Sequence, residues 1–308
     1  MTPPSPPRLT RWSPRVGERL EPLDSDWLRA HPLPQPASDA DKNGRGRVLV
    51  VGGCVTVPGG IRLTAEAALR AGAGKVQVAT IASAAMALGV AMPEIAVHAM
   101  PEAENGELGA CGALLDTLAG RADAVIAGPA VACHDAARRL VGDLLSHDGD
   151  AELVLDAGAL MVLAEHGAKV ARRARPAVLT PHIGEMAALL GEPAEAIEAD
   201  RPAAVRRAAE RFGAVCVLKG ATSLVAAPGA EALAYAGGGV GLATGGSGDV
   251  MAGIVAGLAA RGASPRIAAA WAVWLHGEAG RRCAEQTGPL GFLARELLAH
   301  VPGLMRAL

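Results

Sequence analysis

Arg47-Val-Leu-Val-Val-Gly-Gly53 is apolar at every position from 48 to 51 and then breaks at two glycines. A strand with one wet face would alternate apolar and polar residues. A run that is apolar on both faces suits a strand covered on both sides. The same pattern returns along the chain. Residues 75–81 are strand-like, and 124–126 lead into Gly128-Pro129. Residues 153–155 stop at Asp156, 177–179 at Thr180-Pro181, and 215–218 at Lys219-Gly220. Between them lie helical stretches, clearest at 61–70, 250–260 and 267–282. Doubly covered strands joined by helices predict a parallel α/β sheet with right-handed crossovers. Ligands in such sheets bind beyond the carboxyl ends of the strands. Gly52, Gly128, Asp156, His182 and Lys219 all fall there.

The composition agrees. The 308 residues are 51% hydrophobic but only 2% aromatic, with 39 Gly, so the core is built from aliphatic side chains. That hydrophobicity excludes disorder over the whole length. Lys plus Arg is 29 and Asp plus Glu is 31, a net charge of -2, which leaves no broad basic footprint for nucleic acid or an anionic membrane. The longest apolar stretches, 250–260 and 267–275, fall short of the roughly 20 residues a spanning helix needs. The N-terminal twenty residues lack a signal-peptide core. Cys54, Cys111, Cys133, Cys216 and Cys283 are scattered and form no CxxC pair, so neither a disulfide framework nor a zinc site is expected. The expectation is a cytoplasmic protein. Its Pro- and Arg-rich residues 1–22 read as a disordered tail, and 23–308 as one domain. Within that domain 23–30 suit a short helix, and Pro32, Pro34 and Pro36 an extended connection.

Gly241-Leu-Ala-Thr-Gly-Gly-Ser-Gly-Asp249 precedes the helical stretch at 250–260. Gly245, Gly246 and Gly248 let the backbone turn tightly and approach a ligand. N–H groups at a helix start form a cradle for phosphate oxygens. Asp249 at or near the N-cap reads equally as a cap or as a general base for a hydroxyl attacking a phosphoryl group. The three glycines favour the second reading, since a plain cap does not need them.

Thr180-Pro-His-Ile-Gly-Glu185 follows a predicted strand, with an apparent helix at 186–190. Its bland reading has Thr180 and Pro181 starting the helix and Glu185 supporting the first turn. One His and one Glu are too few for zinc. Leu218-Lys-Gly-Ala-Thr-Ser223 suits a phosphate or ribose contact, or an ordinary turn, and is not a Walker A loop. The glycines of 52–60 lack the Gly-x-Gly-x-x-Gly fingerprint, and no acid follows Ala79-Thr80-Ile81, so a redox Rossmann enzyme is rejected. Gly128 suits a substrate contact or a simple turn. His276, beside Trp271 and Trp274, reads as a packing residue, and the cysteines as small core residues.

In order and spacing these motifs resemble the ADP/ATP-dependent (S)-NAD(P)H-hydrate dehydratases. These form the carbohydrate kinase-like domain of the ribokinase superfamily. The resemblance runs from about residue 23 to the C-terminus. It rests on the strand at 44–53, the segment 59–78, and the stretches TPHIGE, VLKGAT, GLATGGSGDVMAGI and WLHGEAG.

It implies a ribokinase-like αβα sandwich with a mostly parallel central sheet. It also implies a repair reaction that restores NADH or NADPH from the S-form hydrate, with AMP and phosphate formed from ADP. By resemblance Asp249 is the catalytic acid/base, and Gly246, Ser247 and Gly248 form the anion hole. Lys219, Gly220, Ala221, Thr222 and Ser223, with Gly248 and Asp249, hold the adenine nucleotide. Gly60, Gly128, His182 and Asp249 contact the hydrate. Glu185 helps hold Mg2+ through water, with ADP or ATP as phosphoryl donor. A homo-oligomer, commonly a tetramer, and a separate epimerase activity supplying the S form are implied as well. No epimerase domain is expected ahead of residue 23.

The chain departs from the family pattern at Gly128-Pro-Ala-Val-Ala132, where GPGLG is usual, and at Leu155-Asp-Ala-Gly-Ala-Leu160, where LDADAL is usual. It departs again at Gly238-Gly-Val-Gly241, where GNPG is usual, and at Gly60, where Ala is usual. These lie mostly on the hydrate side. The rival expectations are a superfamily kinase acting on a small alcohol and a non-catalytic nucleotide-binding protein.

Overall fold

The computed structural model describes residues 20–146 and 149–308. Ten strands form one sheet: β1 (Leu20–Pro22), β2 (Arg47–Val51), β3 (Lys75–Ile81), β4 (Ala96–Met100), β5 (Ala124–Ala127), β6 (Glu152–Leu155), β7 (Val178–Leu179), β8 (Val215–Leu218), β9 (Ser223–Ala226) and β10 (Ala232–Tyr235). Their order is β1-β10-β9-β8-β7-β6-β5-β2-β3-β4. Only β9 pairs antiparallel with its neighbours, β8 and β10. The reason is length. The connection from Leu218 to Ser223 is a hairpin, far shorter than the dozen or more residues of a parallel crossover.

Alternate residues of the strands feed two cores. Val50 pairs with Val78 and Ile126, Ile126 with Val154, Val154 with Val178, and Val178 with Val215. This row joins one core with the helices Gly60–Arg70, Ser247–Ala260 and Pro265–Thr287. The intervening row, including Leu49, Val125, Leu153, Leu179 and Cys216, joins the other with the helices His134–Leu144, Ile183–Leu190 and Arg201–Phe212. The sheet is therefore covered on both faces, as its unbroken apolar runs require.

Helix Ser247–Ala260 is buried nearly all round and lies beside Gly60–Arg70. The crossing is close because it is lined with small residues. A methyl at Gly253 would overlap the Thr64 carbonyl, and one at Gly257 would press on the Ala68 carbonyl. Both helices begin at the same end of the sheet.

The expected tail to residue 22 is corrected at its inner end. Leu20–Pro22 form a strand parallel to β10, with Leu20 opposite Ala232, and the Leu23 N–H donates to the Ala234 carbonyl at 2.9 Å. Residues 1–19 of that expected tail lie outside the described residues. The first helix runs Ser25–Ala30, capped by the Asp24 carboxylate, which accepts the N–H groups of Asp26 and Trp27. No helix among the described residues is long and apolar enough to cross a membrane.

Candidate active site

The glycine-rich turn delivers Asp249 into a crowded ionic site. Gly246, with φ of 85°, is the N-cap of helix Ser247–Ala260 and makes no side-chain cap bond. Asp249 is thus the third residue of the helix, not its cap, which removes the capping explanation for it. N–H groups of a first helical turn lack intrahelical acceptors, and Asp249 stands in that turn. The Ser247 N–H is already given to Thr244 at 3.2 Å, so the free donors are Gly248 and Asp249 rather than Ser247. The Ser247 hydroxyl turns inward and lies 2.8 Å from His276 Nε2. Burial drives the His276 imidazolium down to about 4, against the Ser247 contact, with Lys219 adding to the push. His276 is therefore neutral. It packs, as expected, and also fixes a helix-start side chain that sequence spacing did not connect to it.

Four further side chains converge here, Asp156, Thr180 and Lys219 from the ends of three strands and Glu185 from the first turn of helix Ile183–Leu190. Asp156, after β6, is only 2% exposed. Its Oδ1 accepts the Thr180 hydroxyl at 2.7 Å and Lys219 Nζ at 3.0 Å. Lys219 Nζ also lies 3.6 Å from Glu185 Oε2. A Cβ built on Gly248 would sit 3.3 Å from that ammonium, so Lys219 stands directly beside the glycine turn. Burial alone would lower the Lys219 pKa, but Asp156, Glu185 and Asp249 outweigh it and hold the ammonium above its ordinary value. Asp249 shows the reverse balance. Burial and the Asp156 charge, helped by Glu185 and opposed by Lys219, push its carboxyl up to about 7.

His182 and Glu185 form a reciprocal cap on helix Ile183–Leu190. His182 Nδ1 accepts the N–H groups of Gly184 at 2.9 Å and Glu185 at 3.2 Å, and Glu185 Oε2 accepts the His182 N–H at 2.8 Å. The helix thus starts two residues later than the Thr180-Pro181 reading placed it, and the histidine is itself the cap. With Nδ1 accepting, the ring proton sits on Nε2, which lies 3.4 Å from Glu185 Oε1.

The Lys219–Ser223 stretch is the hairpin between β8 and β9. Gly220 and Ala221 are exposed, while Thr222 and Ser223 are half-buried. Arg201 holds it from below, donating to the carbonyls of Lys219 at 3.3 Å and Thr222 at 3.0 Å. Sequence reasoning missed Arg201, since nothing in its helix marks it. Gly60 opens helix Gly60–Arg70, and its Cβ position lies 3.7 Å from Asp249 Oδ2. Gly128 has φ of 109°, and a side chain there would overlap the Asp156 carbonyl. Its requirement for glycine is thereby explained by packing against the Asp156 loop.

Among the described residues no three or more His, Cys, Asp or Glu gather as a metal cage. Mg2+ does not need one, since it keeps several waters and binds through one or two carboxylates plus substrate phosphates. Glu185, 7% exposed and 3.6 Å from Lys219 Nζ, is a carboxylate at this site available to that mode.

A profile of the NAD(P)H-hydrate dehydratase family matches residues 48–302. The ADP-dependent (S)-NAD(P)H-hydrate dehydratase of Xanthomonas campestris is 44% identical, over 94% of this chain and 98% of that protein. A ribokinase-like superfamily protein from Enterococcus faecalis superposes with a TM-score of 0.80 at 28% identity, over 94% and 96% of the two chains. The ADP/ATP-dependent NAD(P)H-hydrate dehydratase of Bacillus subtilis, co-crystallised with ATP/Mg2+, shares the fold with a TM-score of 0.76 at 24% identity, over 94% and 98%. The sandwich is therefore ribokinase-like, and the chain belongs to the NAD(P)H-hydrate dehydratase family.

Proposed function

We propose that this chain uses ADP, or ATP, to dehydrate the S form of NADH or NADPH hydrate back to the reduced dinucleotide. The observation that carries the reading is the position of Asp249. It lies in the first turn behind a glycine cradle, beside Lys219, with its carboxyl raised to about 7. A base is most effective with a pKa near the working pH.

A ring hydroxyl is a poor leaving group at neutral pH. Asp249 takes its proton as the oxygen attacks the terminal phosphoryl of the nucleotide. The first-turn N–H groups and Lys219 receive the charge on the transferring phosphoryl. AMP leaves from ADP, and the hydroxyl has become a phosphate ester. The ring nitrogen lone pair then expels phosphate, and the iminium so formed loses a proton from the adjacent ring carbon to water, which restores the ring double bond. Lys219 to Ser223 hold the nucleotide, while Gly60, Gly128 and His182 line the hydrate side. Mg2+, held through water near Glu185, neutralises charge on the nucleotide phosphates when bound.

A separate epimerase activity supplies the S form. We assign the protein to the cytoplasm, a reducing compartment that its five free cysteines suit. We also assign it to a homo-oligomer. The outer face of helix Ala82–Ala91, with Met86 and Val90 more than three-quarters exposed, offers an apolar surface that a second copy would cover.

The test is direct. The purified chain is mixed with NADH hydrate, Mg2+ and ADP, then with ATP instead, and NADH absorbance is followed. NADH that forms only with nucleotide, in step with AMP or ADP release, is the expected result. A stable phosphoester that accumulates on another alcohol would point to a kinase. Nucleotide binding without any turnover would point to a non-catalytic binder.

A further inference from the structure

Ala130 holds a backbone conformation that its own side chain opposes. The Val131 N–H donates to the Gly128 carbonyl at 3.1 Å, closing a turn with Pro129 and Ala130 at its centre. Ala130 has φ of 55°. Proline followed by positive φ is the type II arrangement, whose third position favours glycine. Among the described residues only Ala157 shares positive φ without being glycine. A methyl kept against local strain suggests a contact that needs it.

The neighbours of that methyl identify the contact. It lies 3.2 Å from the Cβ position of Gly60, so a second methyl there would force a shift of a few tenths of an ångström. The same Gly60 position is 3.4 Å from Val57 Cγ1 and 3.7 Å from Asp249 Oδ2. There is thus comfortable room for one methyl beside the base. The chain supplies it from the turn after β5 and leaves the helix start bare. Val57 is half exposed and Ala130 partly so, which makes an apolar wall open to solvent on the flank of a carboxylate.

We infer that Ala130, with Val57, is the specificity wall for the acceptor. Its methyl seats the apolar face of a reduced ring and fixes which ring hydroxyl reaches Asp249. The ligand class is a cyclic alcohol with one apolar face, and flexible or wholly polar alcohols lose that seat. This rests on the hydrate reading above.

The experiment compares wild type, A130G, G60A and the double variant, measuring hydrate kcat and KM, ADP Kd by calorimetry, and melting temperature. Relief of the turn raises the A130G melting temperature by about 2 °C. Loss of one methyl contact raises its hydrate KM about fourfold, with kcat and ADP Kd within about twofold. G60A, with two methyls crowded, lowers hydrate kcat/KM several-fold. The double variant restores the methyl from the opposite side. It recovers kcat/KM to within about threefold of wild type, better than the two single effects multiplied.

An unmoved hydrate KM in A130G, or a double variant no better than that product, overturns the inference. So does an effect confined to ADP Kd. A wild-type chain that turns over no hydrate overturns the preceding reading and this one with it. An active wild type with an unmoved A130G overturns this one alone.

Discussion

Asn at position 249 keeps the size of the side chain and removes the base. General bases contribute about a hundredfold to ten-thousandfold, or roughly 3–5 kcal/mol of barrier at about 1.4 kcal/mol per decade. We expect D249N to lose about a thousandfold in kcat with nucleotide binding kept.

The raised carboxyl gives two further signatures. Wild-type kcat/KM should fall tenfold per pH unit below about 7 and level off above, because only the carboxylate accepts a proton. D249N should lack that limb. The second signature is stability. A carboxyl whose folded pKa is raised binds its proton more readily folded than unfolded, so its contribution is present below the unfolded value and lost as pH climbs towards 7. A lift of about three units has a ceiling of about 4 kcal/mol. Water at the partly open site screens this, leaving about 2 kcal/mol. D249N should therefore melt about 5 °C above wild type at pH 8 and close to it at pH 4. Coupled absorbance kinetics across pH 5–9 and thermal melts at the two ends supply both readouts. Turnover by D249N within tenfold of wild type, or a wild-type profile flat through 7, would refute Asp249 as the base.

H182N keeps a good cap and should stay as stable as wild type, yet raise hydrate KM. H182A should lose about 1 kcal/mol of stability besides. A change confined to ADP affinity would move His182 to the nucleotide side. K219M leaves the Asp156 carboxylate buried without its cation and should cost about 3–5 kcal/mol in denaturant melts. The D156N/K219M pair should recover part of that loss, and it should not recover nucleotide affinity.

The covered strands were legible because a parallel strand writes its burial into its own residues. Lys75–Ile81 and Val215–Leu218 have the bounds that their apolar runs predict. β1, β4, β9 and β10 were not legible. Leu20-Glu-Pro22 pairs only because β10 offers it an edge, and the Ala-rich β10 has little strand character of its own. The reversal of β9 hid inside a stretch that reads equally as a ligand loop.

At the site, the glycine turn announced itself, whereas the contacts that tune it did not. Asp156 meets Lys219 across 63 positions, and Ser247 meets His276 across 29. Each residue looks ordinary where it stands in the chain, and no local pattern encodes such a pairing. His182 misled in another way. The side chain expected to contact substrate also spends its Nδ1 on the helix start, a use that proline and threonine before it seemed to fill.

The close helix crossing has a consequence for where the chemistry is stored. Gly60, Thr64 and Ala68 recur every four residues along one helix, and Asp249, Gly253 and Gly257 along the other, meeting in step. Gly60, beside the Ala130 methyl, and Asp249 are thus the first rungs of one ladder, and its lower rungs are backbone resting on backbone. Neither helix can slide without the other. The distance between hydroxyl and carboxylate is set two turns below the site, by residues that no ligand touches. A chain altered only there would keep every catalytic side chain and still lose its alignment.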